Sequence, residues 1–325
     1  MFAYILRRFL ISIVILFFAT ILVFLLVTSA GDPLALLKAN PRTPHSTIVA
    51  REKLLHLNEA LPQRYWDWFW GVLHGNLGTT THGQPVAPQL WSHLFVTLRM
   101  VIVATIIAIF VAVGLGVWAA VRQNKLADHS ITVLNFVLLA TPVFVLGLAL
   151  KEFVAIPINQ HVGSTIFYTD GQQSPTLSGS FWSRLPDYAG HTALPALTLV
   201  LVTYASWAIY QRSSMIETLD ADHVRLARSK GLTRRRVLVR HVLRNALIPV
   251  TTVIALDFAA VLGGAILTEI VFGWQGLGQW YVTGVTNLDV NIMLAYLLVT
   301  ATFVILFNLI ADILYGVLDP RIRYA

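Results

Sequence analysis

The chain has 325 residues, 56% of them hydrophobic and only 12% charged, with a formal net charge of +7 and no cysteine. Soluble domains carry about a quarter charged residues, so this composition describes an integral membrane protein. The lack of cysteine excludes disulfides, thiolate metal sites and cysteine nucleophiles.

Six windows are apolar for the roughly 20 residues that a helix needs to cross a bilayer core. They are Phe9–Val27, Val101–Val121, Ile131–Leu150, Ala193–Tyr210, Ala246–Phe272 and Ile292–Leu318, and they predict an all-α protein of six transmembrane helices. The first follows Arg7 and Arg8 and precedes the small residues Ser29 and Ala30, but its apolar run is too long for a signal-peptide core and reads as a retained anchor. Between the first and second windows, Thr28 to Leu94 forms a long segment rich in Pro, Trp and Gly. Its aromatic run Trp66–Trp70 suits the membrane interface. Pro157 to His191 is a second, Ser- and Gly-rich insertion. No repeat at a 20–50 residue period is visible, and no inverted repeat. The coarse division is 1–93 for the first helix and its loop, 94–318 for the core, and 319–325 for a tail.

Positive charge orients the helices. With the N-terminus inside, Arg7, Arg8, Arg122, Lys125, Arg321 and Arg323 fall in the cytoplasm, and the loop of about 212–245 adds Arg212, Arg225, Arg228, Lys230, Arg234, Arg235, Arg236, Arg240 and Arg244. Both termini are then cytoplasmic. The basic balance is a topology signal and calls for no nucleic-acid partner.

The segment 222–249, DHVRLARSKGLTRRRVLVRHVLRNALIP, carries eight of the 23 Lys and Arg residues. Asp222 is expected to cap a two-turn helix from His223 to Lys230, and Gly231 to close it in a left-handed turn. Arg228 and Lys230 stand in the last turn, where the helix dipole favours cations. Thr233 can cap a second helix through Val237, His241 and Asn245. A solvated basic linker would need neither a cap, nor the small residue Ala227, nor a turn glycine at this spacing.

This loop resembles the coupling motif of ABC importer permeases, in which an Ala, a Gly four residues later and a downstream Pro form a short helix. Ala227 and Gly231 match it, and the peptide-permease branch is closer still: Asp222, Val224, Arg225, Ala227, Arg228, Lys230, Gly231, Leu232, Arg240, His241, Asn245, Ala246 and Pro249 fit its pattern. The likeness extends to GDP at 31–33, GNLG at 75–78, LPALTL at 194–199, the stretch 263–278 and the C-terminal stretch 308–323. Asn76 and Gln275 depart from it, standing where Asp and Pro are expected. The resemblance implies the type I ABC importer permease fold in a prokaryotic cell membrane, surrounded by lipid. It also implies half of a translocation pathway shared with a homologous second permease, two ATPase subunits carrying ATP and Mg, an extracytoplasmic substrate-binding lipoprotein, and a peptide substrate. Asp222, Val224, Arg225, Ala227, Arg228, Lys230, Gly231, Arg234 and His241 would then couple the chain to the ATPase, with Ala227 facing its groove. Nickel chelates or glutathione-like ligands are the alternatives within the family; a secondary transporter is the rival outside it.

The chain has no G-x-x-x-x-G-K-[ST], not even a Gly-Lys dipeptide, and neither H-E-x-x-H nor G-x-S-x-G. ATP binding, and enzymatic chemistry generally, is not expected of it. Polar residues inside the spans are the remaining signals, because a charge at mid-membrane costs about 3 kcal/mol or more. Asp257 is expected to face the bundle interior, paired or lining a pathway, with pairing inside this chain disfavoured because the nearest cations lie at span ends. Asn135 is a further pathway candidate, while Asn308 and Asp312 fit hydrogen bonding between helices. Glu269 precedes the glycine-rich exit with Gly273, Gly276 and Gly278, which the family resemblance marks as a gate where the backbone can bend.

Overall fold

The computed structural model describes residues 2–29, 31–175 and 178–318; the tail 319–325 lies outside the described residues. In chain order the α-helices are α1 (Phe2–Ser29), α2 (Ala35–Ala39), α3 (His45–Leu54), α4 (Leu61–Leu73), α5 (Val86–Val121), α6 (Leu126–Ala140), α7 (Val143–Leu150), α8 (Ile156–Val162), α9 (Phe181–Leu219), α10 (Asp222–Ser229), α11 (Arg234–Val237), α12 (Arg244–Val271), α13 (Leu277–Thr286) and α14 (Val290–Leu318). Short π-helical turns at Lys151–Ala155 and Leu238–Leu243 join α7 to α8 and α11 to α12. Among the described residues the extended pairing is one isolated bridge, Thr79 with Pro85. Six helical stretches are long and apolar enough to cross a membrane: Leu6–Ser29, Val86–Val121, Val143–Val162, Phe181–Leu219, Arg234–Phe258 and Val290–Leu314.

The third of these differs from the sequence expectation. Pro142 interrupts the window Ile131–Leu150, because it lacks an N–H and pushes Thr141 into an extended conformation (φ −87°, ψ 125°). Thr141 satisfies the freed carbonyls itself, its Oγ1 donating to Val137 O at 2.7 Å and its N–H to Leu138 O at 3.3 Å. The helix restarts at Val143 and continues to Val162. Pro157 falls inside this continuous helix, directly after the π turn, where the Ile156 N–H bonds five residues back to Lys151 O. Helix α9 likewise begins twelve residues before Ala193, so the non-helical part of the second insertion is short.

The described residues divide into two compact units, one built on Arg99–Trp274 with 306–318, the other on Arg7–Leu98 and Gln275–Ile305. In the second, Phe24 and Val27 of α1 bury against Met293 and Leu294 of α14. Helix α4 explains the aromatic run. Tyr65, Trp68 and Phe69, spaced i, i+3, i+4, turn toward α1, with Phe24–Tyr65 and Phe17–Phe69 edge contacts at 5.4 and 5.5 Å. Trp66 and Trp70 fall on the opposite face and are 55% exposed. The buried carboxylate of Asp289 knits this unit, accepting from Thr81 N (2.7 Å), Thr81 Oγ1 (3.2 Å) and Ile292 N (3.3 Å). Asn76 Oδ1 accepts the N–H of Gly78 at 3.0 Å, a role for which an Asp carboxylate would serve equally, so this departure from the family pattern keeps the turn.

In the first unit α9 is the central helix, flanked by α12, α6 and α7. Helix α5 presents a stripe at every fourth residue, Ala104, Ala108, Ala112, Gly116 and Ala120, in which the alanines are fully or nearly fully buried. Small residues at this spacing let membrane helices approach closely. A Cβ on Gly116 would lie 2.7 Å from Gln211 Cβ and 2.9 Å from Ala208 O of α9.

Candidate functional site: a docking loop, a helix exit and a mid-helix carboxylate

The basic loop folds as helix, glycine turn and helix. Asp222 stands one place later than the sequence reading has it. Ala221 is the N-cap (φ −69°, ψ 146°) and Asp222 the first helical residue, its side chain 98% exposed and 3.5 Å from Arg225 Nη1. It favours the helix N-terminus through charge. Helix α10 ends at Ser229 and Gly231 takes φ +74°, the left-handed turn expected of it. The amphipathic face is sharp: Val224 and Ala227 enter a cluster with Ala120, Met215, Val237, Val242 and Ala246. This corrects the expectation for Ala227, which packs into its own chain at 5% exposure. What α10 presents outward is Arg225, Leu226 (57% exposed), Arg228 and Lys230.

The π turn at Leu238–Leu243 keeps this cluster in register. Val237 and Val242 are five residues apart, which in a plain α-helix would place them about 140° apart around the axis. The wider turn brings both inward, in line with Ala246. Ser214 Oγ donates to Ala246 O at 3.0 Å, one turn before Pro249. His241 is partly buried in that turn, Arg234 is exposed, and Asn245 Nδ2 lies 3.0 Å from His223 Nε2.

Between α6 and α9 lies a pair that sequence reasoning missed. Asp128, on the first turn of α6 and 1% exposed, accepts from Arg212 Nε at 2.5 Å and Nη2 at 2.7 Å, and from the Asn124 N–H at 2.9 Å. The Arg212 bond, aided by the Asn124 N–H, holds the Asp128 carboxyl below its ordinary range. An Asp in the first turn of an apolar helix was the available signal; its partner is 84 residues away.

At the far end of α12, Val271 O accepts from Lys151 Nζ at 2.5 Å and Phe272 O from Gly171 N at 2.9 Å, so the carbonyls left open at the helix end are filled by the π turn after α7 and by the second insertion. Gly273 has φ +54°, and a Cβ there would fall 2.1 Å from Asp170 Oδ1. Arg99 donates to Gln172 O at 2.9 Å and lies over the rings of Tyr188 and Trp274, 4.7 and 4.9 Å from their centroids. Asp187, through Ser174 N (3.0 Å) and Ser174 Oγ, ties the same insertion to α9. Of the three exit glycines only Gly273 has positive φ; Gly276 is extended (φ −92°, ψ −170°) as the N-cap of α13, and Gly278 is buried within it. Glu269 is fully buried, and its carbonyl accepts the Trp274 N–H at 2.8 Å.

Asp257 lies in the middle of α12 and is half-buried. Its Oδ2 accepts from Trp207 Nε1 at 2.9 Å, and Trp207 is fully buried in α9. The carboxylate therefore has a hydrogen-bond partner inside the chain, but an uncharged one. Asn135 is buried on α6 with Oδ1 unpartnered. The loop residues 222–246 thus come together as one site, and Asp257 and Asn135 are not among the residues it gathers.

The chain is built of long apolar helices and carries, between two of them, a short helix whose basic face is exposed. The chain matches the family model for the inner membrane component of binding-protein-dependent transport systems over residues 112–324, and the model for the N-terminal part of such components over 1–115. It belongs to that family and is a multi-pass membrane protein. It is 39% identical to the oligopeptide transport system permease protein OppB of Mycobacterium tuberculosis over 321 residues, covering 98% of each chain. It is 36% identical to the dipeptide transport system permease protein DppB of Escherichia coli K12, covering 90% of each, and 36% identical to the oligopeptide permease AppB of Bacillus subtilis, covering 99% of each.

Proposed function

We propose that this chain is one of two homologous permease subunits of an ATP-driven peptide importer, forming half of the translocation pathway and hydrolysing nothing itself. The observation that carries the reading is α10. A two-turn helix buries Val224 and Ala227 in its own bundle while offering Leu226, Arg225, Arg228 and Lys230 to a partner. Its relatives in peptide transport supply the substrate class. In this reading both termini and the 222–249 loop are cytoplasmic, ATP and Mg reside on separate ATPase subunits, and an extracytoplasmic binding protein delivers the peptide. ATP-driven closure of the ATPases moves α10, and the rigid link from α10 through α11 and the π turn into α12 carries that motion into the spans.

The test is substrate-stimulated ATP hydrolysis by the assembled complex in proteoliposomes. Leu226→Asp, which removes an exposed apolar contact and leaves the chain's own packing alone, is expected to lower it at least tenfold, equivalent to about 1.4 kcal/mol of lost coupling. Unchanged stimulation would remove α10 from the coupling path.

A further inference from the structure

The middle of α12 carries a carboxylate for which the coupling and exit sites have no use. Asp257 is 13 residues from Arg244 and 14 from Val271, about 20 Å from either end of the helix. The residues at i±3 and i±4 around it, Val253, Ile254, Ala260 and Val261, are apolar. One oxygen, Oδ2, is held by Trp207, whose indole is locked by complete burial. An indole N–H orients a carboxylate but brings no charge to neutralise it. Among the described residues no Lys, Arg or His forms an ion pair with Asp257, and the side chain is only half-buried within its own unit. An ionised carboxylate held at this depth needs water or a cation from outside the chain.

We propose that Asp257, aimed by Trp207, is a contact for the ammonium groups of peptides in transit, and so a specificity-determining residue of the pathway. The proposal rests on the peptide-permease reading. A fixed carboxylate with one oxygen already occupied offers the other to a single cationic donor, either the peptide N-terminus or a lysine side chain. A charge-assisted bond of this kind is strong enough to select without trapping the substrate, since it acts on one group of a moving peptide.

The experiment compares ATP-driven uptake by the reconstituted complex carrying wild-type chain, Asp257→Asn or Trp207→Phe. Uptake of each peptide by a variant is divided by wild-type uptake of the same peptide, which cancels selection by the binding protein. The probes are matched tripeptides with central Lys, Ala or Glu. Asp257→Asn keeps the hydrogen-bonding shape and removes the charge; the Lys-to-Glu uptake ratio is expected to fall about tenfold. Trp207→Phe, which frees the carboxylate to turn, is expected to move the ratio the same way by a smaller factor. A fall confined to the Lys peptide assigns the contact to side-chain ammonium groups, while an equal loss for all three peptides that vanishes when their N-termini are acetylated assigns it to the N-terminus. No change, or an equal change for all three peptides that persists when their N-termini are acetylated, would overturn the proposal and leave Asp257 a structural acceptor for Trp207. Absence of ATP-driven peptide uptake in the wild-type complex would instead overturn the peptide-permease reading beneath it.

Discussion

At Gly273 two constraints coincide: a φ of +54° and an Asp170 carboxylate lying where a Cβ would be. Left-handed backbone costs a non-glycine residue about 1–2 kcal/mol, and a collision with a tethered side chain adds about as much. Gly273→Ala is therefore expected to lower the melting temperature of the purified protein, and Asp170→Ala in the same chain to restore part of the loss; strictly additive losses would show that the two residues do not pack together. Asp128 makes a different forecast. Its carboxyl is held below the ordinary range by Arg212, so the stabilisation is complete above the unfolded-state pKa and disappears as pH falls through the lower folded-state value. Wild-type melting temperature should accordingly decline on acidification more steeply than that of Asp128→Asn. Arg212→Gln, which strands a buried carboxylate, should cost about 3 kcal/mol or more near neutral pH, and little at pH values low enough to protonate Asp128. A parallel decline in wild type and Asp128→Asn would contradict the assignment. Both sites were only half legible. Glycine before Trp274 announces a turn, and Asp128 a helix start, but Asp170 and Arg212 are brought to them by tertiary folding that no local pattern encodes.

Helices were legible wherever an apolar run met ordinary α-helical geometry, and misread where one residue changed it. Pro142 splits a 20-residue apolar window whose average hydrophobicity hides the break, and Pro157 looks like a loop start although it lies within a helix, directly after the π turn at Lys151–Ala155. The π turn at Leu238–Leu243 shows up only as a five-residue gap between core valines. Pattern reading at the 3.6-residue period discards such a gap. The four-residue stripe of α5, by contrast, is plain in the sequence once sought. It yields a paired prediction. A Cβ on Gly116 would meet α9 at 2.7 Å, whereas one on Gly114 would meet nothing within 4 Å. Gly116→Ala should destabilise the protein and Gly114→Ala should be neutral or stabilising by up to about 1 kcal/mol, through helix propensity. Similar losses at both positions in denaturant or thermal unfolding would show that α5 does not use this stripe to approach α9.

For the whole molecule, the family was legible in one loop because its features are local and ordered: a helix start, a small buried face, a positive-φ glycine and an exposed basic surface, all within ten residues. The loop's inward and outward faces were not legible, since Ala227 and Leu226 differ only in which side of a two-turn helix they occupy. In the proposed complex this chain is one part of a divided machine, with energy supplied at α10 and substrate passing along the spans. The measurement that bears most directly on that division is uptake of a labelled peptide into proteoliposomes, by the complete complex and by this chain alone. The complex should accumulate peptide only when ATP reaches the ATPase side, and the isolated chain should accumulate none under ATP or under any proton or sodium gradient. Gradient-driven uptake by the isolated chain would contradict the account and make the protein a self-contained transporter.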